Sequence, residues 1–174
     1  KAILEELGIS TTGTVVARTE EEAVEIFKSL ASPVALKVIS PDVVHKSDAG
    51  GVKLHLNEEN DVRRAYRDIV SSFQGKPVEG ISVQKMAPLG IEAIVGVAND
   101  STFGPVLMFG LGGIFVEVLK DVSFRSIPIT RSDAQEMIEE IRGYSLLKGS
   151  RGHSADIEAL KDLLMRISDF VNLE

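Results

Sequence analysis

The sequence predicts a mixed α+β domain whose sheets are covered by helices. Two observations carry that expectation. Short β-branched apolar runs alternate with charged segments of helical period, and Gly- or Pro-marked turns separate them. No internal repeat, low-complexity tract or flexible linker interrupts the 174 residues, a length that suits one ordinary domain or two small lobes sharing a core.

The elements follow in order. Residues 1–7 (KAILEEL) read as helix and stop at Gly8, and residues 14–17 form a short β-branched strand. Thr19 then caps a helix with Glu20, Glu21 and Glu22 in its first turn, where carboxylates favour the positive end of the helix dipole. That helix runs through Ala23, Phe27 and Leu30. After Pro33, residues 34–39 (VALKVI) make a strand interrupted by one lysine, and the polar stretch 40–51 leads into the alternating strand 52–56. Residues 58–73 set Val62, Ala65, Tyr66, Ile69, Val70 and Phe73 at helical spacing with charge opposite. Strands at 80–86 and 91–98 flank a Pro-Leu-Gly turn, strands at 106–109 and 114–119 flank a glycine loop, and 122–129 adds another. Amphipathic helices at 132–141 and 155–171 are joined by the basic loop LLKGSRGH. The chain begins inside a helix without an initiator Met and stops just past one, which points to a fragment.

Composition narrows the function. Apolar residues make up 44% and charged residues 26%, an ordinary globular balance. Mean hydropathy is +0.11, and the longest apolar candidate, residues 104–119, is broken by glycines and Pro105 and carries Glu117, so no membrane span is expected. A net charge of −7 argues against a general nucleic-acid binder but leaves room for a local polyanion site. Without cysteine, thiolate catalysis, disulfides, Cys-ligated zinc and Fe–S clusters are absent, and three histidines make a His-built metal site a poor reading. No signal peptide is visible, and the expected compartment is cytoplasmic.

Four pieces can carry chemistry. Lys37 sits at the centre of an apolar strand, where a lysine is costly unless it is paired with a carboxylate or binds an anion such as a nucleotide phosphate. In the loop HKSDAGG, Gly50 and Gly51 let the backbone approach a ligand, and Lys46 and Ser47 add donors. The Walker A spacing is absent, and two glycines before a strand also suit a plain turn. His45 in the same loop is a competent nucleophile toward phosphorus, or simply a solvated loop residue. In SVQKMAPLGIEAIVGV, Gln84 and Glu92 are polar positions in apolar strands, fit either for a base and ribose hydroxyls or for solvent. In FGPVLMFGLGGIFVEVLKDVSFR, the triplet Gly110, Gly112 and Gly113 reads as a phosphate loop or as tight strand packing. Glu117 there can assist a metal or orient a lysine, and Arg125 can meet a phosphate. His55, alternating with Val52, Leu54 and Leu56, faces away from their apolar side, and His153 precedes the helix cap Ser154.

The order of these pieces is more specific than any one of them. ALKVISPDVVHKSDAGGVKL, VQKMAPLGIEAIVGV, FGPVLMFGLGGIFVEVLKDVSFR and LLKGSRG together resemble the ATP-grasp portion of NDP-forming acyl-CoA synthetases. These are the ADP-forming acetate–CoA ligase β subunits, relatives of succinyl-CoA synthetase. The resemblance implies one ATP-grasp domain over residues 1–174, with two α/β lobes (14–83, and 1–13 plus 84–174) and the nucleotide between them. The family's terminal strand, an acid-x-Asn-Pro segment that helps hold Mg²⁺, would follow Glu174.

By that resemblance Lys37 contacts the phosphates of ATP or ADP, Lys46, Gly50 and Gly51 belong to the loop over them, and Gln84, Lys85 and Met86 form the hinge beside adenine. Lys85 stands where relatives often carry Glu. Glu92 takes the ribose, and His45 matches the loop histidine that relays a phosphoryl group; Glu117 and Arg125, read from the residues themselves, are added to the expected nucleotide set. The implied reaction is acyl-CoA + ADP + phosphate to carboxylate + CoA + ATP. A CoA-binding α subunit or domain is the implied partner, delivering acyl-CoA within a hetero-oligomer. A second reading keeps the fold but makes it a regulatory nucleotide-binding module of a protein lysine acetyltransferase, or a non-catalytic scaffold.

Overall fold

Strand alternation and helix amphipathicity organise the chain in the computed structural model, which describes residues 2–41, 46, 49–113, 116, 118–149 and 154–173. It divides into two compact units, Thr11–Pro88 and Lys1–Ser10 with Leu89–Glu174. These divisions fall a few residues from the 13/14 and 83/84 boundaries read from the sequence. The Met86 N–H donates to the Pro33 carbonyl at 2.8 Å, which ties the segment after residue 83 to the first unit.

In the Thr11–Pro88 unit, strands β1 (Thr14–Ala17), β2 (Val34–Ile39), β3 (Val52–Leu56) and β4 (Gly80–Lys85) form an antiparallel sheet in the order β1-β4-β2-β3. Helices α2 (Glu20–Leu30) and α3 (Glu59–Ser72) cover one face; α1 belongs to the other unit. Val34, Leu36 and Val38 are fully buried against Val62, Ala65, Ile69 and Phe73. Each large side chain so buried contributes about 1.5–3 kcal/mol. Thr19 caps α2 by accepting the Glu22 N–H at 3.1 Å, as its position before three glutamates predicts.

The two helices are also joined by charge. Arg67 donates to Glu20 at 2.6 and 2.7 Å, and Arg63 donates to Glu20 at 3.1 Å and to Glu59 at 2.8 Å. Hydrogen bonding from Arg67, reinforced by Arg63, holds the Glu20 carboxyl down at about 2, from an ordinary 4.5.

The other unit holds α1 (Ala2–Glu6) and an antiparallel sheet β5-β6-β7, formed by Ala93–Asp100, Gly104–Leu111 and Val122–Ser126. Helices α4 (Arg131–Glu140), α5 (Tyr144–Leu147) and α6 (Ile157–Leu173) pack beside it. Leu107, Phe109 and Leu111 alternate inward onto Met137, Ile138, Leu147 and Leu164. Thr130 and Asp133 close a capping box on α4. Arg131 donates to Glu158 and Asp162, both at 2.6 Å, tying α4 to α6. Arg166 donates to the carbonyls of Leu7 and Gly8, at 3.1 and 2.9 Å, which holds the end of α1.

Several sequence expectations change. The strand expected at 114–119 is absent among its described residues: Val116 is helical, and Val118 and Leu119 lie in a turn. Gly113 and Lys120 have φ of +60° and +49°, which breaks extended backbone on both sides. The strand expected at 91–98 runs instead over Ala93–Asp100, in register with β6. The one expected at 122–129 ends at Ser126, shortly before Pro128, which has no N–H for a ladder. His55 does not simply alternate. Between Leu36↔Lys53 and Val34↔Leu56 the strand β3 carries one extra residue, a bulge in which His55 has φ +57°. Leu54 is consequently exposed while Leu56 is buried.

Two outcomes follow. Because the Glu20 pKa is depressed on folding, its contribution is complete above about 4.5 and is lost as pH falls toward about 2. Acid-unfolding curves of Glu20→Gln should therefore be flatter than wild type across that window. Replacing His55 with Gly removes the left-handed penalty at a cost in unfolded-chain entropy, so chemical denaturation should show a gain of up to about 1 kcal/mol.

Candidate functional site

Strand β2 must bury Val34, Leu36 and Val38 beneath the helices, and the period of two then sends Lys37 to the opposite sheet face. There it lies in register with Ser82 on β4 and Val52 on β3, half-buried. Gln84 stands two residues from Ser82 on the same face, paired in register with Ala35, and donates to the Thr14 hydroxyl at 2.6 Å. Among the described residues no carboxylate forms an ion pair with Lys37. A half-buried ammonium lacking a carboxylate partner suits a polyanionic ligand.

The loop that returns to β3 is anchored at its base. Gly51 donates from its N–H to the Lys46 carbonyl at 2.7 Å, and its own carbonyl accepts the Val38 N–H at 2.8 Å. A Cβ at Gly51 would meet Val38 Cγ1 at 2.6 Å and Phe73 Cζ at 2.9 Å, while Gly50 has φ +74°. Close packing and a left-handed turn thus account for both glycines without a ligand. His45, the candidate nucleophile, and Ser47 lie outside the described residues.

Beyond Gln84 the chain leaves the sheet. Lys85 ends β4 and is exposed, and the Met86 backbone is held to Pro33. The backbone of residues 84–86 is therefore fixed at both ends of this short segment.

In the second unit Glu92 comes against the glycine loop. Its carbonyl accepts the Gly112 N–H at 2.7 Å, a Cβ at Gly112 would lie 2.9 Å from Glu92 Cβ, and the carboxylate Oε2 lies 3.6 Å from where a Cβ on Gly113 would stand. Glu92 itself is exposed and precedes β5 rather than lying in it. Glu117 lies outside the described residues. Arg125 is placed differently from the expectation of a phosphate contact. In register with the buried Leu107, it stands on the helix-covered face of its sheet. There its guanidinium donates to both Glu140 oxygens at 2.9 Å and to Glu136 at 3.4 Å. Glu140, with Glu136 adding, pushes the arginine pKa above its ordinary value.

Among the described residues no group of three His, Asp or Glu side chains could hold a metal ion. None of their helices is long and apolar enough to cross a membrane. None of the buried polar residues Ser40, Ser82, Asp121, Ser123 and Ser168 was singled out in the sequence, and two of them bear on the site's surroundings. Ser40, just after β2, is 7% exposed and its hydroxyl has no hydrogen-bond partner among the described residues. Asp121, 6% exposed, accepts the backbone N–H groups of Arg142 and Gly143. Ser40 precedes Pro41 and Asp121 precedes a strand, positions at which Ser and Asp are common and carry little signal.

Similarity to known proteins runs along the whole chain. Over 95% of its residues it is 52% identical to acetate–CoA ligase (ADP-forming) I of Archaeoglobus fulgidus, spanning 25% of that protein's length. It is 48% identical to acetate–CoA ligase (ADP-forming) I subunit beta of Pyrococcus furiosus, over 97% of the chain and 75% of that subunit. The dinucleotide forming acetyl-coenzyme A synthetase 1 of Ca. Korarchaeum cryptofilum, in complex with coenzyme A, Ca-AMPCP and HgCl⁺, is 46% identical and matches with a TM-score of 0.93, over 99% of this chain and 78% of that one. A second structure of that enzyme contains coenzyme A and Mg-AMPPCP, with its phosphohistidine segment pointing towards the nucleotide binding site. It matches with a TM-score of 0.82 at 46% identity, over 97% of this chain and 74% of that one. With the ATP-grasp domain model matching residues 1–173 as well, the chain belongs to the ATP-grasp family, in the branch of the ADP-forming acetate–CoA ligase β subunits.

Proposed function

We propose that this chain is the nucleotide-binding part of an ADP-forming acyl-CoA synthetase, working with a CoA-binding α subunit or domain in a hetero-oligomer. The reaction is acyl-CoA + ADP + phosphate in equilibrium with carboxylate + CoA + ATP. The observation that carries this reading is the match to acetate–CoA ligases along nearly the whole chain. The placement of Lys37 supports it as well: it is half-buried on the face away from the helices and has no carboxylate partner among the described residues, which suits neutralising phosphate oxygens.

In this reading Lys37 and Lys46 hold phosphate charge, with the backbone of Gly50 and Gly51 beside it. Gln84, Lys85 and Met86 border the base, and Glu92 accepts hydrogen bonds from the ribose hydroxyls. Glu117 is proposed to assist the divalent cation. Mg²⁺ supplies further neutralisation of the phosphates when bound. Arg125 is left out of the set, because Glu136 and Glu140 already fill its guanidinium fork.

His45 is the proposed covalent relay. Its neutral imidazole nitrogen attacks phosphorus, forming an N–P bond as the bond to the donor oxygen breaks, and the ring gives up its remaining N–H proton. In transfer to ADP the N–P bond breaks as an oxygen of the β-phosphate bonds to phosphorus, and the ring regains a proton. A phosphoramidate is high in group-transfer energy, so both half-reactions stay near balance.

Calorimetric titration of the full-length protein with Mg-ADP tests the binding site. Lys37→Ala should weaken affinity about tenfold or more, the value of one lost charge-assisted hydrogen bond. Unchanged affinity would remove Lys37 from the site. His45→Ala should bind Mg-ADP normally yet form no ATP from acyl-CoA and phosphate with the partner present. Retained ATP synthesis would eliminate the relay.

A further inference from the structure

The second glycine loop is held by a carboxylate that the proposed function does not use. Asp121 follows Lys120, a non-glycine residue in left-handed conformation, and begins the return into β7. Its two oxygens accept the Arg142 N–H at 2.8 Å and the Gly143 N–H at 2.7 Å, where the chain turns from α4 into α5. Charge-assisted bonds to two backbone donors at a nearly buried carboxylate form a specific clamp.

That clamp reaches the loop by contact. A Cβ on Gly143 would lie 2.3 Å from Leu111 Cδ1, so the Leu111 side chain presses directly on the backbone that Asp121 holds. On the neighbouring residue, a Cβ on Gly110 would lie 2.7 Å from the Asp121 carbonyl oxygen. The end of β6 is thus confined by the Asp121 backbone at Gly110 and by Gly143 at Leu111. The next residue, Gly112, donates to Glu92 at 2.7 Å. A displaced Gly143 or Asp121 would therefore shift Gly112, and Glu92 with it.

We propose that Asp121 is a positioning residue for nucleotide binding, setting the place of Glu92 through Gly143, Leu111 and Gly112. This rests on the reading of Glu92 as a nucleotide contact. Asp121 touches no substrate in this scheme. Its effect is on where the Glu92 end of the site is held, and misplacement by even an ångström is costly in a site built on fixed geometry.

The test uses the full-length protein, Mg-ADP titration and amide hydrogen exchange of the peptide spanning residues 107–113. Asp121→Ala should weaken Mg-ADP binding about tenfold. Asp121→Asn, which keeps one carbonyl acceptor and is the variant more certain to fold, should weaken it less. Both should speed exchange at the Gly112 amide. Ser168→Ala serves as a control in the same unit, since the Ser168 hydroxyl accepts the buried Ile129 N–H at 3.0 Å with no part in the loop. It should lower the melting temperature while leaving affinity and Gly112 exchange as in wild type. Asp121→Asn with wild-type affinity and exchange would overturn the proposal while leaving nucleotide binding intact. Equal losses in Ser168→Ala would also overturn it, by reducing the effect to stability. Failure of the wild type itself to bind Mg-ADP would sink the parent reading and this inference with it.

Discussion

Strand β2 cannot hide all six of its side chains in one core, and much of the first unit follows from that. Val34, Leu36 and Val38 occupy one parity and are fully buried, which commits α2 and α3 to their face. Lys37 occupies the other parity, and no shift of register can bury it with its neighbours without turning those three valine and leucine side chains outward. The hydrophobic demand of the core thus places a cation on the opposite face as a consequence of alternation alone. Had a carboxylate stood in register on β3 or β4, its charge would have been neutralised internally. Ser82 and Val52 stand there instead, so neither register partner neutralises the lysine.

Glycines in the two loops answer a different demand. At Gly51 a side chain would strike Val38 and Phe73, both core residues, so the absence of a Cβ is needed for the helix to close over the strand. At Gly112 the obstruction would be Glu92, a residue of the candidate site itself. The first glycine would serve the fold whether or not a phosphate ever came near. The second brings the Glu92 side chain, proposed as a ribose contact, and a backbone loop together. Phosphate cradling and tight packing are indistinguishable in a string of letters, yet they predict different casualties when a methyl group is added.

What could be read from the letters follows the range of the interactions involved. Lys37 and the helix at 59–72 were legible because a single strand's alternation and a single helix's period encode them. The cap at Thr19 was legible for the same local reason. The bulge at His55 was not, because it is decided by pairing with β2, twenty residues away, and no glycine marked it. The strand expected near residues 114–119 failed on backbone sign: Gly113 allowed a positive φ, but Lys120 gave no such warning. Ser40 and Asp121 escaped notice because burial of a small polar side chain depends on tertiary neighbours. The order of motifs carried more about function than any one motif, since Gly-Gly pairs and lone strand lysines are common separately.

Arg125 shows how the face of a sheet decides a role. Its place in the sequence, between apolar strand residues after a glycine loop, fits an anion ligand and a helix clamp equally well. The register with Leu107 sends it to the helix side, where Glu140 takes two of its donors and Glu136 a third contact. Serving a phosphate would require leaving these bonds, which at this solvent-exposed position are worth up to about 1 kcal/mol per pair. Lys37 has no acidic partner of this kind among the described residues. The proposed site keeps the lysine and leaves out the arginine on the same physical ground: a cation already paired with carboxylates must break those pairs before it can meet an incoming anion.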